Sequence, residues 1–274
     1  MWNGLQALYT AFVSRVALVV LLQRVDLRPL QGSGLRVLEL HHQSVGPHDV
    51  SQVAYAAGVV RAVVLDIGET LVRDDRYWGS WADWLGVPRH TMSALVGAVT
   101  ALGLDNAEAL RMIRPGIDLQ AAYRDREDAG RGEYLDDTDL YPDVRDGLQA
   151  LRDVGLRVCV AGNQTAQVGD LLRGLRLPVD AIATSAEWGV AKPDAAFFDR
   201  VIKLAGAPPG ETLYVGDHPV NDVIPAKAAG LATCLIRRGP WGLLWGDDPS
   251  VPADLRINGL ADLPALLEND RMER

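Results

Sequence analysis

The 274-residue chain carries 27 lysines and arginines against 36 aspartates and glutamates, a formal net charge of −9. That balance excludes a general affinity for nucleic acid or an anionic membrane surface, both of which draw on basic patches. Apolar residues at 48% and charged residues at 23% are the mixture of a soluble globular protein long enough for one large domain or two smaller ones.

The first 60 residues differ from the rest. The apolar stretch VALVVLL at 16–22 is bracketed by Arg15 and Arg24. It is too short to span a bilayer and lacks the charged start and cleavage site of a secretory signal, so no membrane partner is expected. The segments GSG and HHQSVGPHD read as loop, and the histidine pair at 41–42 as polar rather than metal-binding. Residues 1–60 are expected to form a poorly packed extension, or to precede the biological start, since no methionine falls between Met1 and Met92.

From residue 61 a repeating pattern begins. RAVVL (61–65) is a short buried strand that delivers Asp66 to a tight, Gly-containing turn, DIGET (66–70). Residues 71–140 contain no strand signal and are helical in character, in the runs WGSWADWLG, HTMSALVGAVTALG, NAEALRMIR and QAAYRDREDAG. A connection of this length is a lid or small domain rather than a loop. Trp78, Trp81 and Trp84 recur every third residue and share a helix face; packing of these helices is the reading favoured over an aromatic substrate pocket.

Residues 141–155 are a helix with Pro142 in its first turn, a face of Val144, Leu148, Leu151 and Val154, and Gly155 as its stop. Then follow a strand at 156–161, a helix at 164–176, a strand at 179–185 and a helix at 192–206. TLYV (212–215) is a strand, 221–230 a helix and LATCLIR (231–237) a strand. The segment GPWGLLWGDDP (239–249) reads as a loop whose Trp241 and Trp245 cover the sheet edge. Cys159 and Cys234 lie in strand-like runs as small core residues of a reduced, cytoplasmic protein.

Apolar strands alternating with amphipathic helices predict an α/β fold, a Rossmann-like parallel sheet with helices on both faces. The core is expected over 61–72 and 141–265, the helical insertion over 73–140 and a tail over 266–274. Ligands of such sheets sit beyond the carboxyl ends of the strands. That rule gathers Asp66, Gly162, Asn163, Gly216 and Asp217 around one crevice.

Four segments share that crevice: DIGET (66–70), AGNQ (161–164), KPD (192–194) and GDHPVND (216–222). Their order, spacing and placement after strands resemble the haloacid dehalogenase superfamily, over about residues 61–265, with the helical insertion matching that family's α-helical cap. The resemblance implies a Mg²⁺-dependent phosphohydrolase of a small phosphorylated metabolite, acting through an aspartyl-phosphate. Phosphoryl transfer calls for a carboxylate nucleophile, a hard cation and donors around the equatorial oxygens. The resemblance makes Asp66 nucleophile and metal ligand, and Asp217 and Asp222 the other acidic ligands, with helix capping a compatible role for Asp222. It makes Lys192 the partner of Asp66 and the phosphoryl oxygens, and Thr70 a residue that steadies the turn by hydrogen bonding.

Two positions depart from the family. Its phosphatases carry a second aspartate, the proton carrier, where this chain has Gly68. The Gly68 carbonyl still reaches a metal, but no proton moves there, and general acid–base help is worth roughly 10²–10⁴ in rate. Glu69 is expected to point elsewhere; other candidates are His90, read first as a helix-start residue, and the pair Asp74–Asp75. The family's Ser or Thr is replaced by Gly162, a donor loss of about 1.5–3 kcal/mol. Asn163, the turn's amides and Thr165 are candidates to compensate. These departures direct the expectation toward substrates whose leaving groups depart as stable anions. The alternative is a catalytically impaired phosphate-binding or interaction module on the same fold.

Overall fold

A computed structural model describes residues 60–272, with side chains to residue 268; the extension expected over 1–60 falls outside them apart from Val60. The strands are short: β1 (Ala62–Leu65), β2 (Arg157–Gly162), β3 (Ala181–Thr184), β4 (Thr212–Gly216), β5 (Ala232–Ile236) and β6 (Leu255–Ile257). All pair in parallel in the order β3-β2-β1-β4-β5-β6, with Leu65 opposite Val160 on one side and Val215 on the other. The chain builds outward from β1 to β3, then returns to β1's other side to build β4 to β6. That reversal opens a crevice at the carboxyl ends of β1 and β4.

The pleat of β1 sends alternate side chains to opposite faces. Val63 and Leu65 pack with Val158, Val160, Leu213 and Val215 in one core. Ala62 and Val64 join Cys159, Ala161 and Tyr214 in the other. The buried strand positions are therefore mainly apolar, as a sheet covered on both sides requires, with Thr184, Thr212 and Thr233 buried among them. Both cysteines are free and buried.

Between β1 and β2 lie five helices: α1 (Asp75–Leu85), α2 (Arg89–Ala101), α3 (Glu108–Ile113), α4 (Leu119–Asp128) and α5 (Val144–Asp153). The first four turn their apolar sides on one another, with Trp81, Met92, Val96, Val99 and Leu110 in a cluster separate from the sheet's two cores. Trp81 is fully buried there while Trp78 and Trp84 pack against it half-buried, the packing role expected of them, and Trp78 also lines two cavities. Pro142 stands before α5 rather than in its first turn, because the helix starts at Val144.

After β2 come α6 (Ala166–Gly174), α7 (Ser185–Trp188), α8 (Ala195–Ala205), α9 (Ile224–Ala228), α10 (Gly239–Trp245) and α11 (Leu263–Met272). On the two faces of the sheet, Val144, Leu148, Leu151, Leu172, Leu263 and Leu267 cover one core and Phe197, Phe198 and Val201 the other. Three features differ from expectation. The segment from Gly239 is a helix and not a loop, its Pro240 seated in the first turn where a missing N–H costs nothing. A sixth strand, β6, was not foreseen, and residues 266–272 of the expected tail continue α11, with Leu263, Leu266 and Leu267 packed against the core. Among the described residues no helix is long and apolar enough to cross a membrane.

Candidate active site

Asp66 is the first residue beyond β1, and its N–H still pairs with the Val215 carbonyl at 2.8 Å. The chain then folds back on itself. The N–H groups of Leu71 and Val72 both donate to the Ile67 carbonyl at 2.9 Å, and Glu69 takes a left-handed φ of 50°. The expected help from the Thr70 hydroxyl is not seen, since that oxygen is buried with no hydrogen-bond partner among the described residues. Arg238 does that work instead, its Nη1 donating to the Thr70 carbonyl at 2.7 Å and its Nη2 pairing with Asp143.

The ends of β1 and β4 and the loop after α7 bring the charged groups together. Lys192 Nζ lies 2.6 Å from Asp66 Oδ1 and 2.7 Å from Asp222 Oδ1, with the lysine side chain 3% exposed. Asp222 Oδ2 accepts the His218 N–H at 2.9 Å, so this aspartate is held inside the turn after β4 rather than capping a helix. Asp217 completes the group: one oxygen each from Asp66, Asp217 and Asp222 lie within 4.8 Å of one another, all three residues buried. Main chain passes close beside these carboxylates. A side chain at Gly216 would overlap Asp222, and one at Gly162 would overlap Asp66 Oδ1. Gly162 therefore leaves the space in which the Asp66 carboxylate sits, at the position read from the sequence as the loss of a donor hydroxyl.

Three buried acids against one ammonium leave the cluster short of positive charge. Burial pushes Asp66 up to about 6, Lys192 working against the shift and Asp222 adding to it. Burial and the neighbouring Asp222 and Asp66 push Asp217 well above the usual carboxylate range. Lys192 is disfavoured by burial as an ammonium, yet Asp222 and Asp66 hold it well above the ordinary lysine value. An all-oxygen set of carboxylates in charge deficit suits a hard divalent cation such as Mg²⁺.

Asn163 lines the cleft with its amide tied to Lys192. Its Nδ2 donates to the Lys192 carbonyl at 3.0 Å and its Oδ1 accepts the Lys192 N–H at 2.8 Å. Thr165 caps α6 by accepting from Val168 and donates its hydroxyl to Glu133. Glu69 is equally engaged, accepting from the Asp74 N–H at 3.1 Å and from the Tyr141 hydroxyl. His90 and Asp75 are exposed, and neither lines the cleft at Asp66. Asp74 does line it. Burial, then Glu69 and Asp66, raise its carboxyl well above the usual range, while Trp78 favours the charged form.

The cleft at Asp66 has a volume of about 140 Å³, and a cavity of about 810 Å³ shares Asp74, Trp78, Asn163 and Gln164 with it. One wall comes from a segment read as loop. The Trp241 ring stacks on His218 at 3.8 Å, and its Nε1 donates to Asn106 Oδ1 at 3.0 Å. His218 Nδ1 accepts from the N–H groups of Val220 and Asn221, and burial lowers this histidine to about 4. Only the proline after Gly239, a helix-start signal, hinted in the sequence at the element that places Trp241.

Among known families, the model described as haloacid dehalogenase-like hydrolase matches residues 60–230. Haloacid dehalogenase-like hydrolase domain-containing protein 3 of Xenopus laevis is 35% identical over 109 residues, or 39% of this chain and 45% of that protein. A glyceraldehyde 3-phosphate phosphatase of Methanocaldococcus jannaschii is 34% identical over 132 residues, 47% of this chain and 57% of that protein. The chain thus spans about half the length of the curated relatives it matches. A solved haloacid dehalogenase-like hydrolase from Bacteroides fragilis gives a TM-score of 0.58 at 19% identity, over 74% of this chain and 99% of that one, a likeness of fold.

Proposed function

Because the chain belongs to the haloacid dehalogenase-like hydrolase family, we propose that it hydrolyses a small phosphorylated metabolite through an aspartyl-phosphate on Asp66. The observation that carries this reading is the buried lysine bridging two carboxylates at 2.6 and 2.7 Å beside a third, at the carboxyl ends of β1 and β4. Asp66 attacks phosphorus, the bond to the leaving oxygen breaks, and water then releases phosphate from Asp66. Lys192 orients the Asp66 carboxylate and offsets charge on the equatorial oxygens. Asp66, Asp217, Asp222 and the Gly68 carbonyl would hold Mg²⁺, which when bound would neutralise phosphate charge. Asn163 positions Lys192 through its main chain. Residues 73–140 act as a cap that closes the substrate room and excludes water. The two free, buried cysteines support a reducing, cytoplasmic setting.

The test is turnover of a panel of phosphate esters and acyl phosphates with Mg²⁺, using Asp66→Asn as control. Mg²⁺-dependent release of phosphate that Asp66→Asn abolishes is the expected result. Activity that survives Asp66→Asn removes the nucleophile. Phosphate binding without turnover on any substrate supports instead a non-catalytic phosphate-binding module.

A further inference from the structure

Transfer of a phosphoryl group from an alkyl ester to a carboxylate leaves an alkoxide, which is too basic to depart at neutral pH without a proton. Some group facing Asp66 has to supply it. Among the described residues, the titratable ones lining the cleft are Asp66, Glu69, Asp74, Lys192, Asp217 and His218. Asp66 is the attacking group. Lys192 is held between two carboxylates, and Asp217 belongs to the acidic cluster. Glu69 is tied to Tyr141 and to the Asp74 N–H. His218 spends Nδ1 on two backbone N–H groups and lays its ring on Trp241.

Asp74 remains. It stands immediately before α1, where an aspartate ordinarily caps the helix with its own oxygen, yet its side chain makes no capping bond. The carboxylate turns instead over the nucleophile turn. A side chain beginning at Gly68 would meet Asp74 Oδ1 at 3.4 Å and Oδ2 at 3.8 Å. The Asp74 carboxylate thus lies at ordinary contact distance from where a side chain at Gly68 would begin, with the Gln164 amide 3.6 Å from the same point.

We infer that Asp74 is the proton carrier of this site. The assignment rests on the phosphohydrolase reading above. In the first step the Asp66 carboxylate oxygen bonds to phosphorus, the ester P–O bond breaks, and the Asp74 carboxyl proton passes to the leaving oxygen, giving the alcohol. In the second, water bonds to phosphorus as Asp74 takes a proton from it. The Asp66 oxygen–phosphorus bond breaks, and inorganic phosphate leaves with Asp66 and Asp74 restored.

The experiment compares kcat/KM for an alkyl phosphate ester with that for acetyl phosphate, whose leaving group departs as a stable anion. In Asp74→Asn the ester value falls roughly 10²–10⁴-fold while that for acetyl phosphate falls by a far smaller factor. Asp66→Asn abolishes both. Circular dichroism melts establish that each variant is folded. Adding Gly68→Asp to Asp74→Ala recovers ester turnover, because it returns a carboxylate to the same space from the other side. Equal losses on both substrates, or undiminished ester turnover in Asp74→Asn, overturn the assignment of Asp74 alone. A wild-type protein silent on both substrates removes the phosphohydrolase reading and this assignment with it.

Discussion

Asn163 and Lys192 are joined twice through one side-chain amide, Nδ2 to the Lys192 carbonyl at 3.0 Å and Oδ1 to its N–H at 2.8 Å. The lysine that bridges Asp66 and Asp222 therefore has its main chain fixed by a residue at the end of a neighbouring strand. Asn163→Ala removes both bonds, a loss of about 1–3 kcal/mol in stability at typical values per bond. We expect a lower melting temperature and a kcat reduced roughly 10–100-fold by misplacement of the ammonium. A normal kcat in a destabilised variant would show that the amide only holds the fold.

Asp217 tests the charge deficit. Its carboxylate is buried next to Asp222 and Asp66, and that position disfavours its charge. Asp217→Asn should melt at a higher temperature than the wild type when both are metal-free, because one buried negative charge is gone. The same substitution should abolish the rise in melting temperature that Mg²⁺ gives the wild type. Chelation of the metal should suppress phosphate release in the wild type. A wild type whose melting is indifferent to Mg²⁺ counts against the cation site.

Gly162 offers a sharper choice. If the site lacked only a donor hydroxyl, Gly162→Ser would raise activity. The structure leads to the opposite expectation, since a Cβ there overlaps Asp66 Oδ1. Displacement of a nucleophile by about 1 Å costs on the order of 10²-fold. Steady-state kinetics of Gly162→Ser on one ester decides between the two, a gain in kcat/KM refuting the steric account.

Glu133 supplies a pH dependence away from the acidic cluster. Burial raises its carboxyl above the ordinary glutamate value, with Thr165 and Arg126 opposing the shift. At pH values between the unfolded and folded pKa the native state holds the proton that the unfolded chain has lost. The stability this group contributes is thus present below the unfolded value and lost as pH rises through the folded one. Glu133→Gln should accordingly change stability little at pH 4 and raise it at pH 8. Paired thermal melts at the two pH values measure this, and a larger gain at pH 4 would reverse the sign.

Much of the site can be read from local sequence. A run such as AVVL before a Gly-containing turn defines a strand end, so Asp66 was recognisable from its own neighbours, as were Asp217 after TLYVG and Lys192 before a proline. Arg238 and Trp241 were not, because their partners Thr70 and Asn106 are distant in sequence and meet them only once the chain has folded. The strand β6 has three residues, too few for an alternating pattern to register. Gly162 was read as the loss of a hydroxyl because its effect on Asp66 depends on the spacing between β1 and β2.

Trp241 touches two parts of the protein at once, its face on His218 beside the acids and its edge bonded to Asn106 between α2 and α3. A substitution that widens the cleft at Asp66 by trimming this indole also unsettles the residue next to Asp217. Breadth of substrate range and alignment of the reacting groups are thereby linked through one side chain. A variant selected for a bulkier substrate at Trp241 carries its cost in turnover, whereas one selected on the far wall, at Tyr77 or Tyr123, does not touch that link.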